Sequence, residues 1–177
     1  FKGPMMYEEL VRVPLIISWP GRITARVCDE LVSQIDILPT LCDLAGVKAP
    51  AGMDGQSLKP LLSDATATRP FRRDAVFAEY FGKQNWRMPI RMIRTREYKY
   101  IRYLRSGREL YHLGHDAHEL HNLAGQSEFV QVQKDLSEQL DQWIQQSEDP
   151  FNRLGITSRN GQAVSEDSEL QILSDDN

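Results

Sequence analysis

Phe1-Lys2-Gly3-Pro4-Met5-Met6-Tyr7-Glu8-Glu9-Leu10-Val11-Arg12-Val13-Pro14-Leu15-Ile16-Ile17-Ser18-Trp19-Pro20-Gly21 opens the chain. Residues 13–19 are apolar at nearly every position, and Pro20-Gly21 stops the run. Such a run between turn signals predicts a strand covered on both faces, and therefore a parallel sheet. Parallel strands need neighbours reached by long crossovers, which the few preceding residues cannot supply. The chain opens with Phe1 and shows no signal segment. It is therefore read as the carboxyl-terminal portion of a longer α/β protein. Loops at the strand ends of such sheets carry the chemistry, so only the edge of a site is expected here.

The 177 residues are 41% hydrophobic and 26% charged, a composition that buries a real core. A net charge of -4 and a pI near 5.6 speak against nucleic acid or an anionic membrane as partner, because both demand clustered Lys and Arg. No apolar run approaches the roughly 20 residues that cross a bilayer. Cys28 and Cys42 form neither a CxxC pair nor a disulfide framework. Cys42 sits in a helical run and is expected in the core.

Going outward from the opening stretch, residues 22–30 read as a loop or short edge strand. The segment Ile35-Asp36-Ile37-Leu38-Pro39-Thr40-Leu41-Cys42-Asp43-Leu44-Ala45-Gly46 then predicts a helix, with Asp36 as N-cap, Pro39 in the first turn and Gly46 as left-handed terminator. A helical turn is expected within 57–63, and a linker at 64–69. Beyond it the period becomes alternating. Four antiparallel strands are expected over 75–80, 90–95, 98–104 and 109–113, with one face wet. A long helix capped by Ser127 carries Phe129, Val132, Leu136, Leu140, Trp143 and Ile144 on one stripe, which should lie across the sheet. Burying six such side chains is worth on the order of 10 kcal/mol before chain entropy is subtracted. The expected division is 1–68 for the end of an α/β domain, 69–150 for a small sheet with one helix, and 151–177 for a polar, acidic tail.

Four groups are candidates for chemistry. His112, His115, His118 and His121 lie within ten residues beside Asp116 and Glu119, which suggests a metal site. Gly114 breaks the run and His112 belongs to an alternating strand, so the rings should not converge and are read as turn histidines. Trp86 and Arg87 fall in a long connection between the first two strands, where an aromatic face can stack on a sugar and a guanidinium can clamp an anion; packing and solvation are the plainer alternatives. Lys2, placed before the buried strand, offers a point charge suited to sulfate or phosphate oxygens, although a lysine at a chain end is ordinarily solvated. Glu8 and Glu9 point apart on any regular element, with Arg12 expected to neutralise one of them.

Lys2-Gly3-Pro4-Met5-Met6-Tyr7-Glu8-Glu9, Val11-Arg12-Val13-Pro14-Leu15-Ile16-Ile17 and Trp19-Pro20-Gly21 together resemble the sulfatase family of the alkaline phosphatase superfamily. The helix 33–46, Asp54-Gly55-Gln56-Ser57-Leu58, Arg94-Thr95-Arg96-Glu97-Tyr98-Lys99-Tyr100-Ile101, Glu109-Leu110-Tyr111-His112-Leu113 and Asn122-Leu123-Ala124 are similar to its later segments in the same order. The resemblance covers about residues 1 to 150. It implies the last strand and helices of a sulfatase-type α/β domain, followed by a small four-stranded antiparallel sheet packed against one long helix. It also implies a sulfate-ester hydrolase in which a formylglycine made from Cys or Ser attacks sulfur while calcium and basic residues hold the sulfate.

Lys2 matches the family's sulfate-binding lysine. Neither cysteine carries the family's formylglycine motif, since Cys28 precedes Asp29-Glu30-Leu31 and Cys42 precedes Asp43-Leu44-Ala45. The nucleophile and calcium ligands are therefore expected in a preceding part of the protein, and the chain alone is expected to be inactive. Asp116-Ala117 stands where the family commonly has Asp-Pro, a difference of turn. A sulfate ester is the implied substrate, with a sulfated carbohydrate as the candidate class. Two alternatives stand: a phosphodiesterase or phosphonate hydrolase of the same superfamily, and a noncatalytic partner-binding module.

Overall fold

The computed structural model describes residues 5–62, 71–83, 86–105 and 107–153. Within them the order is α1 (Glu8–Val11), a 3-10 turn (Gln34–Asp36), α2 (Ile37–Ala45), α3 (Lys59–Leu62), β1 (Val76–Lys83), β2 (Trp86–Arg94), β3 (Tyr98–Tyr103), β4 (Gly107–His112), a second 3-10 turn (Ser127–Phe129) and α4 (Val130–Gln146), closed by a third 3-10 turn (Phe151–Arg153).

The four strands form one antiparallel sheet in the order β1-β2-β3-β4. The alternating period-2 pattern is the cause, because each strand places one set of side chains on each face. On one face Ile93, Tyr100 and Leu110 pack against Leu136, Leu140 and Ile144 of α4, with Phe77 stacked on Trp143 at 5.1 Å. The expected stripe and its placement across the sheet are thus observed. The other face is not wet. Ile90, Met92, Ile101, Tyr103 and Tyr111 are buried there beneath Met6 of the opening segment. Alternation marks two faces without saying what covers the second, and here a segment more than eighty residues upstream covers it.

Three boundaries differ from the sequence expectation. Residues 81–83 and 86–89 are strand rather than loop: β1 and β2 extend toward each other, pairing Gly82 with Arg87 and Lys83 with Trp86 after an irregularity at Tyr80/Gly82. The Asp36 carboxylate does not cap α2 from outside; it reaches back to accept the Ser33 amide at 2.7 Å, so the helical path starts three residues earlier. Ser127 lies inside a 3-10 turn whose N-cap is Gln126. Gly46 terminates α2 at φ 69, as read.

Residues 13–19 join no ladder in the described structure, and Ile16 is 87% exposed. All four strands belong to the antiparallel sheet, so a both-face-buried strand has no parallel neighbour to pair with. Exposure continues over Leu38, Leu41 and Val47 in and beside α2. Cys42 is half-buried and Cys28 exposed, which moves Cys42 out of the expected core. No helix among the described residues is long and apolar enough to cross a membrane. Most of the tail, residues 154–177, and the whole of the linker at 64–69 lie outside the described residues.

Candidate functional site

Lys99 stands in the middle of β3 with its side chain fully buried, and its ammonium is the centre around which the opening segment is built. Nζ donates to the Met6 carbonyl at 2.9 Å and pairs with Glu8 Oε1 at 2.7 Å and Glu119 Oε1 at 2.8 Å. An ammonium has three donors, and three oxygens surround it. Glu119 also accepts the Glu8 amide on Oε2 at 2.6 Å, while Arg94 approaches Glu8 Oε2 at 3.6 Å. Burial alone would raise the Glu8 carboxyl, but the hydrogen bond and charge of Lys99, with Arg94 behind it, hold it below the usual glutamate range.

Sequence spacing does not reveal this cluster. Glu8 and Glu9 do point apart, with Glu8 inward and Glu9 outward. The cations facing Glu8 come from β3 and β2 rather than from Arg12, which is exposed, because α1 turns the Glu8 side chain under the sheet. Glu119 sits at φ 55, a left-handed conformation uncommon for a residue with a side chain. Its two carboxylate contacts hold it there.

The same sheet face continues as a phenol cluster. Tyr103 donates to Glu109 Oε1 and Tyr111 to Glu109 Oε2, each at 3.1 Å. Tyr7 meets Tyr111 edge-on at 6.2 Å. Burial, then the Glu109 charge, push both sheet phenols above their ordinary values, and Tyr7 moves in the same direction. These hydroxyls are donors at neutral pH. Met6, Tyr7 and Glu8 are therefore gripped by one apolar, one aromatic and one ionic contact in succession.

The histidines do not converge. His112 stacks on His115 at 4.0 Å and meets the edge of Tyr98 at 4.6 Å. The side chains of His118 and His121 face solvent. Asp116 closes the intervening turn by accepting the amides of Leu120 and His121 at 3.1 and 2.8 Å. Among the described residues no group of three or more His, Cys, Asp or Glu could hold a metal ion. Neither cysteine carries a formylglycine motif. The described residues therefore do not fit the calcium that the sequence resemblance implies.

Lys2 lies outside the described residues, four positions before Met6. Trp86 and Arg87 belong to β2, not to a loop, and are paired through the backbone with Lys83 and Gly82; their side chains lie outside the described structure. What sequence reasoning missed is the Glu8–Lys99–Glu119 cluster. Its one sequence signal is a lysine flanked by tyrosines, which an exposed alternating strand shows equally well.

The family of N-sulphoglucosamine sulphohydrolase, C-terminal, matches residues 1–146. The Delta 4,5-hexuronate-2-O-sulfatase of Bacteroides thetaiotaomicron is 34% identical over 157 residues, which cover 85% of this chain and 32% of that protein. A solved chain from the same organism, assigned to the sulfatases, superimposes with a TM-score of 0.79 at 34% identity, covering 86% of this chain and 34% of its own. A structure in complex with its substrate D-glucosamine-2-N,6-O-disulfate gives 0.69 at 32% identity, over 83% and 31% of the two chains. The phosphonate monoester hydrolase of Agrobacterium radiobacter gives 0.58 at 26% identity, over 74% and 28%. The chain spans about a third of the length of the relatives it matches. With its four-stranded sheet and long helix in the arrangement those solved chains share, the chain belongs to the sulfatase family, as its carboxyl-terminal portion.

Proposed function

We propose that the chain completes a sulfatase that hydrolyses sulfate esters of carbohydrates, and that Lys2 is its contact to the sulfate group. In this reading residues 1–68 end the catalytic α/β domain, residues 69–150 form the small sheet subdomain, and the formylglycine nucleophile and calcium are supplied from outside the chain. A fixed ammonium counters negative charge on the oxygens of the transferring sulfuryl group, and its value rises where water is excluded. The observation that carries the reading is the match of residues 1–146 to the sulfatase family, a stretch that contains Lys2. Relatives acting on a hexuronate sulfate and bound to a glucosamine disulfate support the carbohydrate class. The exposed apolar side chains of Leu15, Ile16, Leu38 and Leu41 supply a surface that the remainder of such an enzyme would cover.

Sulfate release from sulfated mono- and disaccharides by the full-length protein, wild type and Lys2→Ala, tests the reading. Strong loss of turnover in the variant is expected, and wild-type rates would reject the sulfate contact. Likeness to a phosphonate monoester hydrolase favours a second reading, a phosphonate or phosphodiester substrate. Faster release from a phosphonate monoester than from any sulfate ester would establish it instead.

A further inference from the structure

We propose that Arg102 of β3 and Arg108 of β4, beside Ser137 of α4, form a binding site for a sulfate group carried on a saccharide chain. The choice of a saccharide rests on the sulfatase reading above; the choice of an anion rests on the sheet. Glu79, Arg91, Arg102 and Arg108 stand directly opposite one another on the four strands, in one row across the face that α4 covers. Like charges opposite each other on neighbouring strands repel, so a row of three guanidinium groups calls for anions among them. The first two have theirs. Arg91 is fully buried, with Nε and Nη2 on the Asp149 carboxylate and Glu79 at 3.7 Å. Arg102 donates to Asp141 from two nitrogens, at 2.6 and 3.2 Å, and to the Ser137 hydroxyl at 2.7 Å. Arg108 breaks the pattern: it is exposed, its carbonyl accepts from Asn122 Nδ2, and among the described residues no ion pair reaches its guanidinium.

An arginine at the rim of a sheet is ordinarily solvated, but this one has an open cleft of about 450 Å³ beside it, between the β3–β4 hairpin and α4, lined by Arg102, Arg105, Arg108, Ser137 and Asp141. Arg102 is held there by Asp141 and Ser137 and lies over the Tyr100 ring at 5.9 Å, so its remaining N–H donors are aimed before any ligand arrives. A bound sulfate group would take the place of the missing third carboxylate, its several oxygens shared between two planar guanidinium forks. The net charge of -4 keeps such attraction local to the cleft instead of spreading it over the surface.

The test measures the affinity of the full-length protein for an immobilised sulfated hexuronate–glucosamine polysaccharide, as wild type, Arg108→Ala, Arg108→Lys and Arg72→Ala, beside sulfate release from a sulfated monosaccharide. Arg72 is exposed and stands outside the row, so Arg72→Ala removes the same charge elsewhere. The expected result is an affinity about five-fold weaker in Arg108→Ala, a smaller loss in Arg108→Lys, which keeps the charge without the fork, and wild-type affinity in Arg72→Ala. Wild-type affinity in Arg108→Ala overturns the proposal, and so does an equal loss in Arg72→Ala, because net charge would then account for the binding. Absence of binding by the wild type overturns it as well. Equal affinity for the desulfated polysaccharide or for single-stranded DNA, equally dependent on Arg108, would overturn the sulfated saccharide as the ligand. Sulfate release separates this site from the sulfatase reading. Release with unchanged binding by Arg108→Ala rejects the site alone, whereas binding lost in Arg108→Ala by a protein that releases no sulfate upholds the site and rejects that reading.

Discussion

Arg73 grips Asp36 with both terminal guanidinium nitrogens, Nη2 to Oδ1 at 2.7 Å and Nη1 to Oδ2, across 37 residues of sequence. Asp36 also accepts the amides of Ser33 and Gln56 at 2.7 and 2.9 Å. One fully buried carboxylate thus joins the start of α2, the segment before α3 and the approach to β1. The expected boundary at 64–69 is bridged by this pair. Arg73→Met leaves the buried carboxylate without its cation, and a loss of about 3 kcal/mol is expected. Urea denaturation of the variant checks this; a midpoint unchanged from wild type would show that the backbone amides suffice.

Gly55 lies against the backbone of the same turn. A Cβ built there would sit 2.0 Å from the Ile35 carbonyl oxygen, and backbone cannot give way as a flexible side chain can. Gly55→Ala is expected to destabilise by about 2 kcal/mol or more. A thermal midpoint within experimental scatter of wild type would contradict the close approach.

Glu8, Asp36 and Asp149 share an acid response. Burial pushes each carboxyl up, but hydrogen bonds and charge from Lys99, Arg73 and Arg91 respectively outweigh it, and each lies below its ordinary value. A depressed carboxyl binds fewer protons folded than unfolded, so its contribution is complete above the ordinary carboxylate range and is lost as pH falls through the folded value. The thermal midpoint should be flat above about pH 5 and fall below about pH 4. Asp36→Asn should shallow that fall, and a wild-type slope in the variant would remove Asp36 from the account.

Two leucines of similar sequence prominence should behave oppositely. Leu140 is fully buried between α4 and the sheet, whereas Leu120 is 74% exposed. Leu140→Ala should cost about 2–5 kcal/mol through lost burial and a residual cavity, and Leu120→Ala less than about 0.5 kcal/mol. Equal losses in denaturant titrations would contradict the packing of α4.

The chain by itself is expected to release no sulfate from aryl or saccharide sulfates, because in the proposed reading the nucleophile and calcium are supplied from outside it. Clear turnover by the purified chain would place a nucleophile within it.

Much of the sheet was legible because its signal is local. Ile93 and Tyr100 alternate with residues of the opposite face, and period-2 patterning survives whatever the partner. The long helix was legible for the same reason, since Leu136, Leu140 and Ile144 recur at helical spacing. The ends were less so. Gly82 and Pro89 interrupt the alternation, which hid the extension of β1 and β2 through Trp86 and Arg87. Lys99 was illegible for a different reason, because a lysine on an alternating strand reads as solvated until something is known to cover that face.

From its residues alone this chain disclosed the sheet-plus-helix plan, the α2 terminator at Gly46 and the sulfatase resemblance. Those depend on spacing and residue type, which a linear chain displays. Only the tertiary structure decided that both sheet faces are buried, that residues 13–19 find no ladder partner, and that Lys99 gathers Met6, Glu8 and Glu119 around one charge. Each of these depends on which distant segment reaches a given face. That is set by the summed burial and ion pairing of the whole chain, and no local period records it.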